Sequence, residues 1–146
     1  ECIRLCAEYK IPIMTGHRVF VENLAICQLA HEVGAHVLIT HAEHMTGTIK
    51  QSKELAAMGA QLEINAAHGI PSLIMPTADP NYMPELIEAV GPEHCHINTD
   101  YGQPIAMDPV DGYRLFIRML LHWGFKKEDI KTMVHTNPEK FLYLQE

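Results

Sequence analysis

Residues 34–44, which read GAHVLITHAEH, decide the fold of this chain. Within them, the segment His36–Thr40 (HVLIT) is too uniformly apolar to have a face exposed to water. Such a run, with a glycine before it and a polar residue after it, predicts a strand covered on both faces, as in a parallel sheet. The strand would end at His41, which places a histidine at its carboxyl end.

Outward from this stretch, strand and helix patterns alternate along the chain. Apolar residues at i, i+3, i+4 and i+7 predict a helix over Glu22–Val33, with Gly34 at its end. A second helix begins after Thr48 as N-cap. The predicted strands are Ile11–Gly16, His36–Thr40, Gln61–Asn65 and His94–Thr99. Residues 1–9 are predicted to be the last part of a helix. The other predicted helices are Glu22–Val33, Ile49–Met58, Met83–Val90, Val110–Trp123, Lys127–His135 and one capped by Asn137 with Pro138 at N1.

Two regions of this pattern carry more specific expectations. The proline-rich segment Ala66–Asn81 is expected to be a long loop. The helix over Val110–Trp123 is expected to face the core with one apolar stripe. That stripe consists of Tyr113, Phe116, Ile117, Leu120 and Leu121.

The order of these elements predicts an α/β fold of four parallel strands that alternate with helices. Right-handed βαβ units of this kind build either a small open sheet or part of a (β/α)8 barrel. A chain of 146 residues fits a small open sheet or half of a barrel, so length leaves both architectures open.

Composition narrows the classes of function. Apolar residues make up 47% of the chain and charged residues 20%, as in an ordinary globular domain. The net charge is −7 and there is no basic run, which argues against nucleic-acid binding. No apolar stretch approaches the roughly 18 residues of a membrane span. The four cysteines form no CxxC pair, which favours reduced thiols in a cytoplasmic protein.

The candidate metal-binding side chains lie directly after the predicted strands. His17 follows the first predicted strand, His41 the second, and Asp100 the fourth. Active sites in both architectures lie at the carboxyl ends of the strands, so we expect these three side chains to converge. Two imidazoles and a carboxylate suit zinc or a similar divalent metal, and three protein ligands leave a position open for water.

Other polar residues receive weaker assignments. His44 and His68 lie one loop step further out, where they would contact substrate or simply face solvent. Glu63, in the middle of a strand, is interpreted as structural. No role is assigned to the histidines on helices or at strand starts, which are His31, His36, His94, His122 and His135.

Several mechanisms lack their motifs in this chain. There is no GxG, which argues against a dinucleotide fingerprint and a P-loop. Neither Ser52 nor Ser72 lies in a GxSxG elbow, and no lysine ends a predicted strand. Metal-activated water is the mechanism that remains.

At these residues the sequence resembles the C-terminal half of an amidohydrolase-superfamily TIM barrel, close to its uncharacterised or phosphotriesterase-like branches. The resemblance covers essentially the whole chain. It rests on IPIMTGH with His17, HVLITHAEH with His41, CHINTDYGQP with Asp100, and the tail DGYRLFIRMLLHWGF…NPEKFLYL.

The resemblance implies a metal-dependent hydrolase with one or two divalent ions, of which zinc is the first candidate. His17 and His41 would bind metal as neutral imidazoles, and Asp100 would bind metal and accept the proton of the attacking water. The substrate would be a small molecule with an amide, ester, lactone or phosphoester bond. The family's His-x-His pair has no counterpart here, so we expect residues 1–146 to be a partial barrel domain from a longer enzyme, inactive by itself.

Two other interpretations stay open on the residues alone. One is a non-catalytic barrel half that serves as an interaction module, and the other is a small open-sheet domain that binds a ligand without metal. Partnership with nucleic acid or membrane is not expected. A homo-oligomer is an open expectation, because four strands of a barrel would leave two edges unpaired.

Overall fold

Four parallel strands form the sheet of this protein. The computed structural model describes residues 1–70, 79 and 81–144. The strands are β1 (Ile13–Met14), β2 (Val37–Ile39), β3 (Gln61–Asn65) and β4 (Cys95–Asn98). They pair in the order β1-β2-β3-β4, and each pair is parallel. The predicted α/β fold of four parallel strands alternating with helices is confirmed.

Helices connect the strands and cover one face of the sheet. They are α1 (Cys2–Glu8), α2 (Phe20–Val33), α3 (Ala42–Met45), α4 (Ile49–Ala57), α5 (Ala66–Gly69), α6 (Tyr82–Val90), α7 (Pro109–His122), α8 (Lys127–Lys131) and α9 (Asn137–Phe141). A 3-10 turn over Pro92–His94 leads into β4, and a π-helical turn over Thr132–Thr136 joins α8 to α9.

The two faces of the sheet differ in polarity. Alternate residues of a strand point to opposite faces, and paired residues of neighbouring parallel strands point to the same face. One face packs in the hydrophobic core beneath the helices, and it is built from Ile39, Leu62, Ile64, Cys95 and Ile97. The opposite face is polar on β3 and β4, where it is built from Gln61, Glu63, Asn65, His96 and Asn98. This polar face includes the last residues of β3 and β4, Asn65 and Asn98, at the carboxyl ends of these strands.

Local signals predicted most element ends within a few residues. The Thr48 side chain caps α4, as expected, by accepting a hydrogen bond from the backbone N–H of Gln51. Gly34 ends α2 in the left-handed conformation, with φ of 73°. The predicted strand over Ile11–Gly16 is shorter in the structure, because regular pairing with β2 is limited to Ile13–Met14.

Other expectations were wrong in detail. The segment Ala66–Asn81 is not all loop, because it begins with α5; residues 71–78 and 80 of that prediction lie outside the described residues. Leu121 is 44% exposed rather than part of the buried stripe of α7. Asn137 does not cap α9. Its side-chain amide donates instead to the carbonyl oxygens of Pro92 and Cys95, which ties the closing helix to the start of β4.

Candidate metal centre

Three polar side chains follow three neighbouring strands. His41 comes two residues after β2, His68 lies in α5 immediately after β3, and Asp100 lies two residues after β4. The carboxyl ends of parallel strands meet at one edge of the sheet, so these residues meet there too.

The three residues could hold a metal ion together. Each offers one ligand atom, and these atoms all lie within 4.8 Å of one another. His68 Nε2 lies 4.0 Å from Asp100 Oδ2. His41 is 9% exposed and the side chain of His68 10%, whereas the Asp100 side chain is 39% exposed. The cluster therefore has two nearly buried imidazoles and a carboxylate that water can reach.

His41 and Asp100 share an uncommon backbone conformation. Their φ angles are 50° and 53°, in the left-handed region that costs most L-residues about 1–2 kcal/mol. Two further non-glycine residues with positive φ, Lys10 and Tyr143, lie just beyond the ends of α1 and α9, where left-handed residues commonly end helices. His41 and Asp100 follow strands instead. Strain of this kind concentrates at functional sites.

A buried carboxylate orients His68. The Nδ1–H of its ring donates to Glu43 Oε1, and the Glu43 side chain is only 2% exposed. With Nδ1 protonated, the neutral ring keeps its lone pair on Nε2, the nitrogen that faces Asp100. A carboxylate behind a histidine is the usual support of a metal-binding imidazole.

Asn65 governs the tautomer of His41. Its amide nitrogen donates to His41 Nδ1 over 2.8 Å and to Glu43 Oε1 over 3.1 Å, while its own Oδ1 is buried without a partner. In this arrangement the neutral His41 ring carries its proton on Nε2. Ligation through Nε2 requires the proton on Nδ1. The Asn65 amide would then have to turn its Oδ1 to this ring, at the cost of the hydrogen bond from its nitrogen to Glu43 Oε1.

The charge around the cluster favours a cation. Glu43, Glu63 and Asp100 are carboxylates at or directly beneath the site. In the ranges that the structure describes, none of them forms an ion pair with lysine or arginine. Two nitrogens and one oxygen in a partly dry pocket lined by carboxylates suit a divalent transition metal. The residues therefore fit a divalent metal.

His17 and His44 lie next to the cluster but outside it. The ring of His17 is 4.7 Å from that of His41, and His17 is exposed. The ring of His44 is 4.3 Å from that of His68. Burial, and then the neighbouring His68, lower the pKa of His44, which keeps its imidazole neutral and able to accept a hydrogen bond from a ligand. Of the predicted metal ligands, the structure brings His41 and Asp100 together with His68, and leaves His17 beside them.

Sequence reasoning missed two of the residues that support the site. Glu43 is the acidic residue of the HAEH stretch that had already drawn attention, and Asn65 is the last residue of the predicted third strand. Both signals were present, because each lies at a strand end near the predicted ligands. Sequence position alone does not distinguish either residue from an ordinary turn residue. Their role is visible only in the fold, which brings Glu43 to His68 and Asn65 to His41.

The two buried thiols do not offer an alternative nucleophile. All four cysteines are free, and Cys27 and Cys95 are buried. Burial raises the pKa of Cys27 to about 11 and raises that of Cys95 as well, so neither forms a thiolate near neutral pH. Within the described part of the chain, no helix has both the length and the apolar character needed to cross a membrane.

Comparison with known proteins yields one partial family match. The model of a family of unknown function (DUF6282) matches residues 1–63, a segment that contains β1, β2 and the first part of β3. No curated protein matches the chain.

A solved structure shares the fold. It is a triple mutant of an organophosphorus hydrolase from Deinococcus radiodurans, with a TM-score of 0.71 and 16% sequence identity. The alignment covers 96% of this chain and 50% of the hydrolase, which is a TIM barrel. The chain thus spans about half the length of that hydrolase, and the likeness concerns the fold.

Proposed function

We propose that this chain carries the metal site of a hydrolase that acts on a small-molecule amide, ester, lactone or phosphoester. The observation that supports it best is the cluster of His41, His68 and Asp100, whose ligand atoms lie within 4.8 Å of one another. We take zinc as the ion, because imidazole and carboxylate donors suit it and the surrounding carboxylates supply negative charge.

A bound divalent ion would supply a coordinated water whose pKa falls towards about 7. The protein's own residues do the rest. Glu43 holds His68 in the tautomer with a free Nε2. Asp100 is exposed enough to reach an attacking water, and its carboxylate accepts the proton. His44, which is neutral and next to His68, is a residue for contact with the substrate, and His17, beside His41, is the alternative to His68 as third ligand.

A second role for His68 is supported by its position between two carboxylates. Asp100 Oδ2 lies 4.0 Å from Nε2, and Glu43 Oε1 accepts from Nδ1. In this version His68 takes the proton from Asp100, Glu43 stabilises the imidazolium, and His17, His41 and Asp100 hold the ion. The variant His68→Ala separates the two roles. A ligand role predicts loss of bound zinc, whereas a proton-transfer role predicts full zinc content with reduced turnover.

We also propose that the chain is part of a (β/α)8 barrel domain in a cytoplasmic enzyme. In the described residues, β1 and β4 are each paired on one side only, and the chain aligns with half of a barrel hydrolase. Four further parallel strands would pair both edges and close the site from the other side.

The test is zinc content and hydrolysis in the polypeptide that carries this chain. Zinc is measured by titration calorimetry and by metal analysis after dialysis, and hydrolysis with a panel of esters, lactones, amides and phosphotriesters. We expect bound zinc, loss of activity on chelation, and loss of zinc in His41→Ala. The variant Asp100→Asn should reduce turnover more than zinc content, because an amide cannot accept the proton from water.

Two outcomes would count against this proposal. An active protein that binds no metal and is indifferent to these substitutions would exclude it. Firm zinc binding without hydrolysis of any substrate class would favour the interaction module instead.

A further inference from the structure

Glu63 is a buried acidic residue that not only adds negative charge near the site but also makes two hydrogen bonds towards it. It lies in the middle of β3 and is 3% exposed. Its Oε2 accepts a hydrogen bond from the backbone amide of His41 over 3.0 Å, and its Oε1 accepts one from the side-chain amide of Asn98. A buried carboxylate is costly unless donors compensate it, so these two bonds account for its tolerance in the sheet.

Asn98 extends this contact to the third strand end. While its amide nitrogen donates to Glu63, its Oδ1 accepts from the backbone amide of Asp100 over 3.0 Å. One carboxylate is therefore connected to the backbone amides of both His41 and Asp100, directly in the first case and through one side chain in the second. Both are non-glycine residues that follow a strand and have left-handed backbones.

We infer that Glu63 is a positioning residue that holds His41 and Asp100 in the left-handed conformation and so sets the geometry of the proposed metal site. The inference rests on the proposed function and goes beyond it by naming the group that shapes the site in the metal-free protein. Left-handed backbones at non-glycine residues persist only where surrounding contacts determine them.

A purely structural role does not account for these contacts. Glu63 is paired in register with His96, yet it bonds directly to the turn that carries His41 and, through Asn98 at the end of β4, is connected to the turn that carries Asp100. A residue that only filled the sheet would be replaceable by an apolar one at no cost to the turns.

The experiment compares Glu63→Met, Glu63→Gln and Asn98→Ala with the matched control Ile64→Val. Methionine removes both acceptors at similar length, and glutamine keeps one. Alanine at position 98 breaks the connection to Asp100 and removes the donor to Glu63 Oε1, but it leaves the hydrogen bond from the His41 amide to Glu63 Oε2 in place. Ile64 is the next residue of β3 but lies on the core face, so its truncation perturbs the same strand without touching these contacts. The readouts are amide hydrogen exchange at His41 and Asp100 without metal, and the zinc dissociation constant.

We expect Glu63→Met to accelerate exchange at both amides at least about tenfold beyond the control, and to weaken zinc binding about 10- to 100-fold, as loss of a ligand-orienting partner does. Glu63→Gln should give a smaller change. Asn98→Ala should accelerate exchange at Asp100 and leave His41 protected, which keeps the inference testable if Glu63→Met does not fold.

Exchange at both amides no faster than in Ile64→Val would overturn the inference, and so would an Asn98→Ala variant that affects the two amides equally. If exchange accelerates as expected but the unaltered protein binds no zinc, the positioning role stands and the proposed function fails.

Discussion

At the scale of single residues, the left-handed backbone of Asp100 predicts that its replacement with glycine does not lower the stability of the protein. The side chain is 39% exposed, and φ is 53°. Glycine adopts this conformation freely, so Asp100→Gly should leave the free energy of unfolding unchanged or raise it by up to about 1 kcal/mol, while it weakens zinc binding.

Urea unfolding without metal measures this effect. The matched control is Asp111→Gly in the first turn of α7, where the same replacement should lower stability by about 0.5–1 kcal/mol, because glycine has a lower helix propensity and a carboxylate near the helix N-terminus is lost. A loss at position 100 as large as at position 111 would mean that the backbone of Asp100 is not strained.

A second residue-scale prediction concerns acid stability. His96 is 6% exposed, its ring packs edge-on against Phe141, and its Nε2 is buried without a partner. Burial lowers the pKa of His96 from 6.5 to about 4. The unfolded chain therefore binds the proton more readily than the folded one, and stability is lost as the pH falls from about 6.5 towards 4. The full difference amounts to about 3 kcal/mol.

Replacing His96 with phenylalanine should remove this acid-dependent loss. The pH dependence of the free energy of unfolding between pH 7 and 4 would flatten in His96→Phe relative to the unaltered protein. His122→Gln, at an exposed position on α7, serves as the control and should keep the original slope. Equal slopes in all three proteins would show that His96 is not responsible.

At the scale of elements, α7 is packed against the turn that follows Asp100. Gly112 is buried on this helix, and a Cβ there would overlap the ring of Tyr101. Glycine to alanine within a helix normally raises stability by about 1 kcal/mol. Here we expect Gly112→Ala to lower it by about 1–3 kcal/mol and to weaken zinc binding, because Tyr101 adjoins Asp100.

A double-mutant cycle with Tyr101→Ala tests this packing. Once the ring is removed, the added methyl group has space, so Gly112→Ala should cost less or become favourable in the Tyr101→Ala background. Additive effects of the two substitutions would mean that the helix and the turn are not in close contact.

At the scale of the whole molecule, the edges of the sheet determine solution behaviour. In the described residues, β1 and β4 pair on one side only, and Met14 on β1 is 56% exposed. Unpaired strand edges with apolar side chains promote association. We expect the 146-residue chain, expressed alone, to associate as its concentration rises, and Met14→Lys to reduce that association.

Light scattering coupled to size-exclusion chromatography, from about 1 to 100 μM, would follow the assembly state. Leu121→Lys, a replacement of an exposed apolar residue on α7, is the control and should leave association unchanged. A monodisperse monomer with a cooperative thermal transition at all concentrations would contradict the prediction and favour a self-sufficient open-sheet domain.

The alternation of elements could be predicted because its signals are local. The apolar run of β2, the helical spacing of Ile26 and Leu29, and Gly34 and Thr48 as helix boundaries each act within a few residues. Short elements could not be predicted in this way. Helices α3 and α5 have four residues each, too few for a period, and they form because the chain turns at the strand ends.

The sequence by itself determined that His41 and Asp100 would lie at one edge of a parallel sheet, because strand ends follow from local patterns and parallel strands end together. Only the tertiary structure decided that His68 joins them, that Glu43 and Asn65 orient the imidazoles, and that Glu63 supports two strained turns. Each of these contacts joins residues more than 20 positions apart. Their geometry depends on strand register and side-chain packing, which no local pattern encodes.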